Sequence, residues 1–327
     1  MSSSNFSLET KEVWISEFTN TLHRINMLLI IGSYSKGREN DRRRDELFMI
    51  KMDLHMHSIC SDGERSPVEL VELAVKNRLT VISITDHDTI SAYEEAELKA
   101  KKLGIQLISG IELNTMGPMG ELHILGYGID LGNEALQAYC YWRKKERISW
   151  GLTIVEKLYQ LGYRVSWEKC FARATGGVIV RTHIADELVE QGYFESSEVA
   201  FHSLLTMDQP AYVERTQFTT KEAIDLIHAS GGLAFIAHPG IYKFPWSLDA
   251  LVEEGIDGIE VFYAKHDEIQ TTDWIEKAKN HQLYMSVGSD FHGETSRNPQ
   301  MIGTVPYDEN AVHSWVTKLR QLEVEIF

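Results

Sequence analysis

The sequence predicts an α/β protein: a barrel-like domain of alternating strands and helices, interrupted by a mostly helical insert. Short apolar runs rich in β-branched residues, such as residues 81–85 and 233–237, alternate with stretches of helical periodicity. Sequential β–α units of this kind form parallel strands joined by right-handed crossovers. The alternation lapses after Gly132 and resumes near Lys221, which locates the insert.

Residues 49–133 form the first part of the predicted barrel. After the first strand, an amphipathic helix opens at Pro67, because proline is favoured in the first turn of a helix. The strand at residues 81–85 follows, and then a second helix that ends at Gly104, a residue suited to the position after a helix C-terminus. Residues 106–111 are predicted to form one further strand.

Residues 134–220 are predicted to be the helical insert, which we expect to cap the substrate site. Residues 221–327 complete the barrel. Their predicted elements are the helix 221–230, the strands 233–237, 258–262 and 283–287, and the helix 271–281.

Residues 1–48 differ from the rest of the chain. They open with serines and end in a charged run at residues 36–44. Their acidic residues fit poorly with a transit peptide, and no apolar core of a secretory signal follows a charged start. We expect residues 1–48 to be an accessory extension. The alternative is that the assigned translation start lies upstream of the true start near Met49.

Composition narrows the function classes open to this 327-residue chain. Its net charge of −16 opposes binding of long duplex nucleic acid, which requires an extended basic surface. A nucleotide or short oligonucleotide remains compatible, because bound cations would supply local positive charge. No apolar run approaches the roughly 20 residues of a membrane span, and the three cysteines form no paired framework. We therefore expect a cytoplasmic protein that does not bind membranes.

Nine potential metal ligands recur around the predicted strand ends. In His-x-His at residues 55–57 and Asp-x-His at residues 290–292, an extended chain points both side chains to one face. A lone histidine is more often an ordinary core or surface residue, but repetition at strand ends, where barrel active sites lie, favours a metal centre. Nine such donors suit two or three divalent metals. The predicted ligands are His55, His57, Asp62, His87, Glu112, His123, His238, Asp290 and His292.

At these motifs the chain resembles the polymerase and histidinol phosphatase (PHP) superfamily. The resemblance rests on residues 53–63, 84–88, 110–112, 121–127, 237–240 and 288–292. It implies a distorted (β/α)7 barrel with a metal cluster at the strand C-termini. Within the superfamily, residues 180–185 and 210–213 of the insert resemble the stand-alone phosphoesterases that act on nucleoside 3′,5′-bisphosphates and on the 5′ ends of short RNA.

The resemblance also implies how the ligands are divided and how the enzyme works. The first metal site would comprise His55, His57, Glu112 and Asp290, the second Glu112, His123 and His238, and the third Asp62, His87 and His292, with Glu112 bridging. Mn²⁺ is the favoured metal, and Zn²⁺ or Fe²⁺ are alternatives, because mixed imidazole and carboxylate ligation suits all three. A hydroxide held by the cluster is the expected nucleophile, and the 5′ phosphate is favoured as the group hydrolysed.

Further residues are candidates for substrate contacts or proton transfer. Arg181 could grip a second phosphate through its planar guanidinium, with His183 and His266 donating nearby; an ordinary surface role for Arg181 is the alternative. Asp88 could pass a proton to the leaving oxygen or hydrogen-bond a ligand histidine. The charged run at residues 143–147 indicates a solvated helix face rather than an oligonucleotide track.

Two other functions remain open at this point. A phosphatase for another small phosphomonoester, such as histidinol phosphate, would share the barrel motifs. A non-catalytic metal-binding PHP module would share the fold. All nine ligand positions are filled, which favours catalysis on a nucleoside bisphosphate or a short oligoribonucleotide.

Overall fold

The computed structural model describes residues 51–174, 176–296 and 298–324, so the predicted extension at residues 1–48 lies outside the described part of the chain. The strands are β1 (Met52–Asp53), β2 (Val81–Ser83), β3 (Gln106–Ile108), β4 (Gly110–Asn114), β5 (His123–Tyr127), β6 (Leu233–Ile236), β7 (Gly258–Tyr263) and β8 (Tyr284–Gly288). The helices are α1 (Pro67–Lys76), α2 (Tyr93–Leu103), α3 (Glu134–Gln160), α4 (Trp167–Arg173), α5 (Arg181–Glu190), α6 (Ser197–Ala200), α7 (Thr220–Ala229), α8 (Leu248–Glu254), α9 (Glu268–Asn280) and α10 (Glu309–Val324). A π-helical turn lies at Phe201–Leu205 and a 3-10 turn at Pro239–Ile241.

Local signals in the sequence account for several element boundaries. Ser66 caps α1 through a reciprocal bond pair with Glu69, and Pro67 is the first helical residue, as predicted. Gly104 follows α2 with a φ of 71°, which confirms its predicted place after the helix. The helices α8 and α10 were not predicted.

The strands form two sheets in a mixed α/β fold. The sheet β1–β2–β3 is parallel, and the second sheet has the order β4–β5–β6–β7–β8. In the second sheet β6, β7 and β8 are parallel, whereas β5 is antiparallel to both β4 and β6. The expectation of parallel strands throughout is wrong at β5. The eight residues 115–122 between β4 and β5 are too few for a crossover helix, so the chain reverses there.

One predicted strand is divided between the two sheets. Residues 106–111 were expected to be continuous, but β3 ends at Ile108 in the first sheet and β4 begins at Gly110 in the second. Gly110 is needed at this crossing, because a Cβ there would lie 2.3 Å from the hydroxyl oxygen of Ser83. The division carries Glu112 into the second sheet.

Backbone hydrogen bonds beyond the named strands connect the two sheets. The amide of Leu54 donates to the carbonyl of Val287 at 3.0 Å, and the amide of His57 donates to Phe291 at 2.8 Å. On the other side, the amide of Asp88 donates to the carbonyl of Glu112 at 2.9 Å. These bonds bring together the segments that follow β1, β2 and β8, which contain most of the predicted ligands.

Three apolar clusters support these elements. The largest packs helices against the five-stranded sheet, with the indole of Trp315 buried near Tyr127 and Phe235. A second joins α1 and α2 to the three-stranded sheet. The third holds α3 to α6 of residues 134–220 together around side chains such as Trp150 and Ile184. Among the described helices, none has the length and apolar character required to cross a membrane.

Candidate metal centre and substrate cavities

The structure brings four predicted ligands of the first metal site together. Donor atoms of His55, His57, Glu112 and Asp290 lie within 4.8 Å of one another, and all four residues are buried. The Nε2 atom of His57 is 3.0 Å from Oε2 of Glu112 and 3.3 Å from Oδ1 of Asp290. This grouping could hold one metal ion.

The other predicted ligands surround this group. His57, Asp62, His87 and His292 offer donor atoms within 4.8 Å of one another, as do His87, Glu112 and His123. The Oε1 atom of Glu112 lies 2.7 Å from Nδ1 of His123 and 3.1 Å from Nε2 of His238, while its Oε2 atom faces His57. Glu112 therefore stands between two groups of imidazoles, the place that a bridging carboxylate would occupy.

The chemistry of the donor set fits divalent cations. Three buried ring nitrogens, Nδ1 of His87, Nδ1 of His238 and Nε2 of His292, have no hydrogen-bond partner. The Nε2 atom of His292 lies 3.2 Å from Oδ1 of Asp62, but the two atoms do not have the geometry of a hydrogen bond. Buried polar groups in native proteins are almost always satisfied, and leaving one unsatisfied costs about 1–3 kcal/mol. Metal ions held by these groups would satisfy the nitrogens of His87 and His292, whereas His238 faces Glu112 through its other ring nitrogen, Nε2.

The electrostatics keep Glu112 ionised. Burial alone would raise the pKa of the Glu112 carboxyl, but the imidazoles of His87, His55 and His123 outweigh burial and hold it well below its ordinary value. The carboxylate is thus charged at neutral pH and available as a metal ligand.

Glu260, which was not assigned a role from the sequence, orients two of the ligands. Its Oε1 accepts a hydrogen bond from Nδ1 of His55 at 2.8 Å, and its Oε2 accepts one from the amide of His238 at 2.6 Å. The first bond turns Nε2 of His55 toward Glu112 and fixes the ring tautomer. A single carboxylate inside the fully buried strand β7 was the sequence signal that could have identified it.

Asp290 is held by two hydrogen bonds and by an unusual backbone conformation. Its Oδ2 accepts from the hydroxyl of Tyr263 at 3.0 Å and from the side-chain amide of Asn298 at 2.6 Å. Asp290 and His238 have φ values of 54° and 33°. Left-handed conformations at residues other than glycine carry strain and cluster at functional sites.

Asp88 has contacts that oppose the predicted role of proton carrier. Its carboxylate accepts from Nε of Arg147 at 3.0 Å, from the hydroxyl of Tyr139 at 2.7 Å and from Arg215 at 3.2 Å. Burial alone would raise the pKa of Asp88, but Arg147, Arg143 and Arg215 outweigh it and hold the pKa well below its ordinary value. These contacts favour an anchor for the insert over either a proton donor or a partner of a ligand histidine.

The prediction that residues 143–147 form a solvated helix face is wrong for Arg143 and Arg147, whereas Lys144 and Lys145 are exposed. Arg143 is 0% exposed and Arg147 is 2% exposed. Four residues apart on α3, they lie on the same helix face, and that face packs against Asp88. The buried carboxylate of Asp88 compensates the charges of these guanidinium groups. On the protein surface, solvent would stabilise the same charges. We call Asp88, Arg143, Arg147 and Arg215 the arginine network.

Arg181 lies beside the metal centre rather than on an ordinary surface. It donates to Oε2 of Glu121 at 2.8 Å and to the carbonyl of Leu205 at 3.3 Å. With Arg147 and Arg215 it lines a cavity of about 70 Å³, which we call the small cavity. The predicted ligands Asp62, His87 and His123 also line it. The structure thus places three guanidinium groups next to the ligand cluster.

His183 and His266 are engaged with the backbone instead. Nδ1 of His183 accepts from the amide of Val180 at 3.4 Å at the start of α5. Nδ1 of His266 donates to the carbonyl of Val261 at 2.9 Å, and its Nε2 accepts from the amide of Gly240 at 3.1 Å. Because both ring nitrogens of His266 are used, its contacts oppose the predicted phosphate contact and favour support of the loop that follows His238.

A larger cleft of about 630 Å³ opens over the same ligands. One wall comes from the insert, through Thr182 and Phe201, and the opposite wall includes Lys243 and Lys265. The cleft and the small cavity share five lining residues, namely Asp62, His87, His123, Thr182 and Phe201. The two spaces therefore meet at the metal centre.

Comparisons with known proteins agree with this geometry. Residues 53–294 match the PHP domain. The chain is 35% identical over 256 residues to the 5′-3′ exoribonuclease Rnm of Salmonella typhimurium, covering 76% of this chain and 87% of the relative. It is 31% identical over 258 residues to the 3′,5′-nucleoside bisphosphate phosphatase of Chromobacterium violaceum, covering 76% and 90%. The crystal structure of a proposed metal-dependent phosphoesterase from Bifidobacterium adolescentis matches with a TM-score of 0.74 at 29% identity, covering 82% and 96%.

Proposed function

The chain belongs to the PHP domain family, and we propose from this premise that it is a metal-dependent phosphoesterase acting on nucleoside 3′,5′-bisphosphates and the 5′ ends of short RNA. The observation that carries the proposal is a cavity lined both by three arginines and by predicted metal ligands. Eight of the nine predicted ligands form close groups of donor atoms, and the ninth, His238, lies 3.1 Å from Glu112. The metal ligands would serve phosphoester hydrolysis, and the arginine-lined cavity would bind a second phosphate group of the substrate.

The family also supports a finer description of the fold. We propose that the two sheets are parts of one distorted (β/α)7 barrel, which the backbone bonds of Leu54 and Asp88 across the sheet edges favour. Residues 134–220 would be an inserted helical domain that caps the cleft, since Thr182 and Phe201 form part of its wall.

The metal ligands would be the nine predicted residues, with Glu112 in the bridging position. When bound, two or three divalent cations, of which Mn²⁺ is favoured over Zn²⁺ or Fe²⁺, would supply an activated water and positive charge for the phosphoryl oxygens. The chain itself orients the ligands. Glu260 fixes the ring of His55, and Tyr263 and Asn298 fix the carboxylate of Asp290.

The small cavity would receive the phosphate that is not hydrolysed. Its lining contains three arginines (Arg147, Arg181 and Arg215) and two carboxylates (Glu121 and the predicted metal ligand Asp62), so the side chains that line it carry one positive charge in excess. Arg215 is 7% exposed, and its buried Nε atom has no hydrogen-bond partner. Guanidinium groups bind phosphate through paired, charge-assisted hydrogen bonds.

The sizes of the two spaces favour one orientation of the substrate. A cavity of about 70 Å³ suits a single terminal phosphate, whereas the cleft of about 630 Å³ has room for a continuing chain. The 5′ phosphate would therefore enter the small cavity, and the phosphate on the 3′ oxygen would lie at the metal centre. This is the reverse of the orientation favoured by the sequence. It also reconciles relatives named for 5′-3′ exonuclease and bisphosphate phosphatase activities.

Hydrolysis assays on the Mn²⁺-reconstituted protein test the proposal, with inorganic phosphate measured for the monoesters and released nucleoside monophosphate measured for the RNA. The substrates are adenosine 3′,5′-bisphosphate, adenosine 5′-monophosphate, a short 5′-phosphorylated RNA and histidinol phosphate. We expect the bisphosphate and the RNA to be preferred, and chromatography should identify adenosine 5′-monophosphate as the product from the bisphosphate. Faster turnover of histidinol phosphate would favour the rival phosphatase, and no turnover of any substrate would favour a non-catalytic module.

Arg181→Ala examines the second phosphate site. Loss of one charge-assisted phosphate contact costs about 1.5–3 kcal/mol, so kcat/KM for the bisphosphate should fall roughly ten- to a hundredfold. Turnover of a monophosphate lacking the 5′ phosphate, adenosine 3′-monophosphate, should change little, and metal content should be unchanged. The exposed Arg164, changed to Ala, is the matched control and should have no effect. Equal losses on both substrates would reduce Arg181 to a structural role.

A further inference from the structure

We infer that Phe201 is the platform on which the nucleobase of the substrate stacks, between the small cavity and the metal centre. This inference rests on the proposed function and deepens it. It assigns a specificity residue on the insert that makes the enzyme prefer a nucleoside bisphosphate to a sugar bisphosphate.

The position of Phe201 carries the inference. Of the five residues that line both spaces, Asp62, His87 and His123 are predicted metal ligands, which leaves Thr182 and Phe201 from the insert. A nucleoside with one phosphate in the small cavity and the other at the metal centre must cross this junction. At this junction the nucleoside would contact the phenyl ring of Phe201.

The local structure holds the Phe201 ring in place. Phe201 begins the π-helical turn that directly follows α6, a conformation frequent at functional sites. Leu204 and Leu205 of the same turn are buried in the apolar cluster of the insert. The guanidinium carbon of Arg181 lies 5.2 Å from the centre of the Phe201 ring, so the phosphate-binding candidate and the ring are adjacent.

Stacking on Phe201 would accept any of the nucleobases. Every nucleobase has a π-face, and stacking on an aromatic side chain is therefore largely independent of sequence. Apart from the histidines, Tyr263 is the other aromatic residue among the described lining residues of the cleft. Its hydroxyl donates to Asp290 at 3.0 Å, which ties that ring to the metal centre.

Kinetics on two substrates test the inference. Adenosine 3′,5′-bisphosphate is compared with ribose 3,5-bisphosphate, which lacks the base. The wild-type protein should show a lower KM for the nucleotide, by roughly five- to 150-fold for one stacked base. Phe201→Leu keeps apolar bulk but removes the aromatic face, so it should lose this preference by raising KM for the nucleotide much more than KM for ribose 3,5-bisphosphate. Phe201→Trp should restore the preference.

The outcomes separate this inference from the proposed function. Persistence of the base preference in Phe201→Leu would overturn the inference while the proposed function stands. Equal loss on both substrates, with an unchanged melting temperature, would also overturn it and assign the turn a structural role. A wild-type protein that hydrolyses neither compound would overturn the proposed function and this assignment with it. Val199→Ala, at an exposed position on α6, is the control and should change neither KM.

Discussion

The metal-ligand cluster and the arginine network are neighbouring groups of buried charged residues that differ in how their charges are balanced. In the arginine network, Asp88 accepts hydrogen bonds from Arg147, Arg215 and Tyr139. In the ligand cluster, ring nitrogens of His87, His238 and His292 have no such partner. The first group is satisfied by the chain itself, whereas we propose that cations complete the second.

The difference indicates that the arginine network contributes mainly to folding stability and the ligand cluster mainly to metal binding. Breaking a buried ion pair by removing one partner is costly, because a charge is left without compensation. The arginine network joins the segment after β2 to α3 and Arg215, so its loss should affect folding. Substitutions in the ligand cluster should affect metal binding more than the free energy of unfolding. The predictions below test each side of this contrast.

Asp88→Ala should have the largest effect on stability. It leaves Arg143, Arg147 and Arg215 without their shared carboxylate, and we expect a loss of about 3–5 kcal/mol in the free energy of unfolding. Urea denaturation of the metal-loaded protein measures this loss. Asp273→Ala removes an exposed pair with Lys277 and should cost about 1 kcal/mol or less. Similar losses in the two variants would contradict the account of the network.

The pH dependence gives an independent check on Asp88. Its pKa is lower in the folded protein than in the unfolded chain, so its contribution is present above the ordinary aspartate value of about 3.9 and is lost as pH falls through the folded value. In Asp88→Asn this contribution is absent. The free energy of unfolding of the variant should therefore fall less steeply than that of the wild type below about pH 4. Parallel curves would argue against a depressed pKa.

Glu260→Gln should have a smaller effect, on metal binding. The neutral glutamine side chain lacks the negative charge that stabilises the His55 ring. It also has only one oxygen, so it cannot accept from both His55 and the amide of His238. Loss of such an outer partner typically costs about 10–100-fold in metal affinity or activity. Titration with Mn²⁺ measures the affinity, and Glu268→Gln, at an exposed position on α9, is the control. Unchanged Mn²⁺ affinity would show that Glu260 does not support the cluster.

The sequence signals for the proposed ligand cluster are local. His55 and His57 lie two residues apart, and so do Asp290 and His292, a spacing that predicts a common face on extended chain before the fold is known. The left-handed backbone of Asp290 was not predicted. The (β/α) alternation gave the elements between residues 221 and 287 within three residues of their bounds, apart from α8. The reversal at β5 escaped prediction because apolar strands of either direction have similar patterns.

The arginine network could not be predicted for the opposite reason. Asp88 lies 59 residues from Arg147 and 127 residues from Arg215 in the chain. A charged helical run has the same sequence pattern whether it faces solvent or a buried carboxylate. Only the tertiary contact of α3 with the segment after β2 distinguishes the two cases. The same contact favours an anchoring role for Asp88 over the predicted role in proton transfer.

Elemental analysis of the Mn²⁺-reconstituted protein tests the central claim most directly. The account predicts two or three manganese ions per chain in the wild type, and it predicts that Glu112→Gln disturbs two of them at once. Glu64→Gln, which changes a carboxylate of the cleft wall outside the ligand set, should retain the wild-type metal content. One ion or none in the reconstituted wild type would contradict the claim that these nine residues form a multinuclear metal centre.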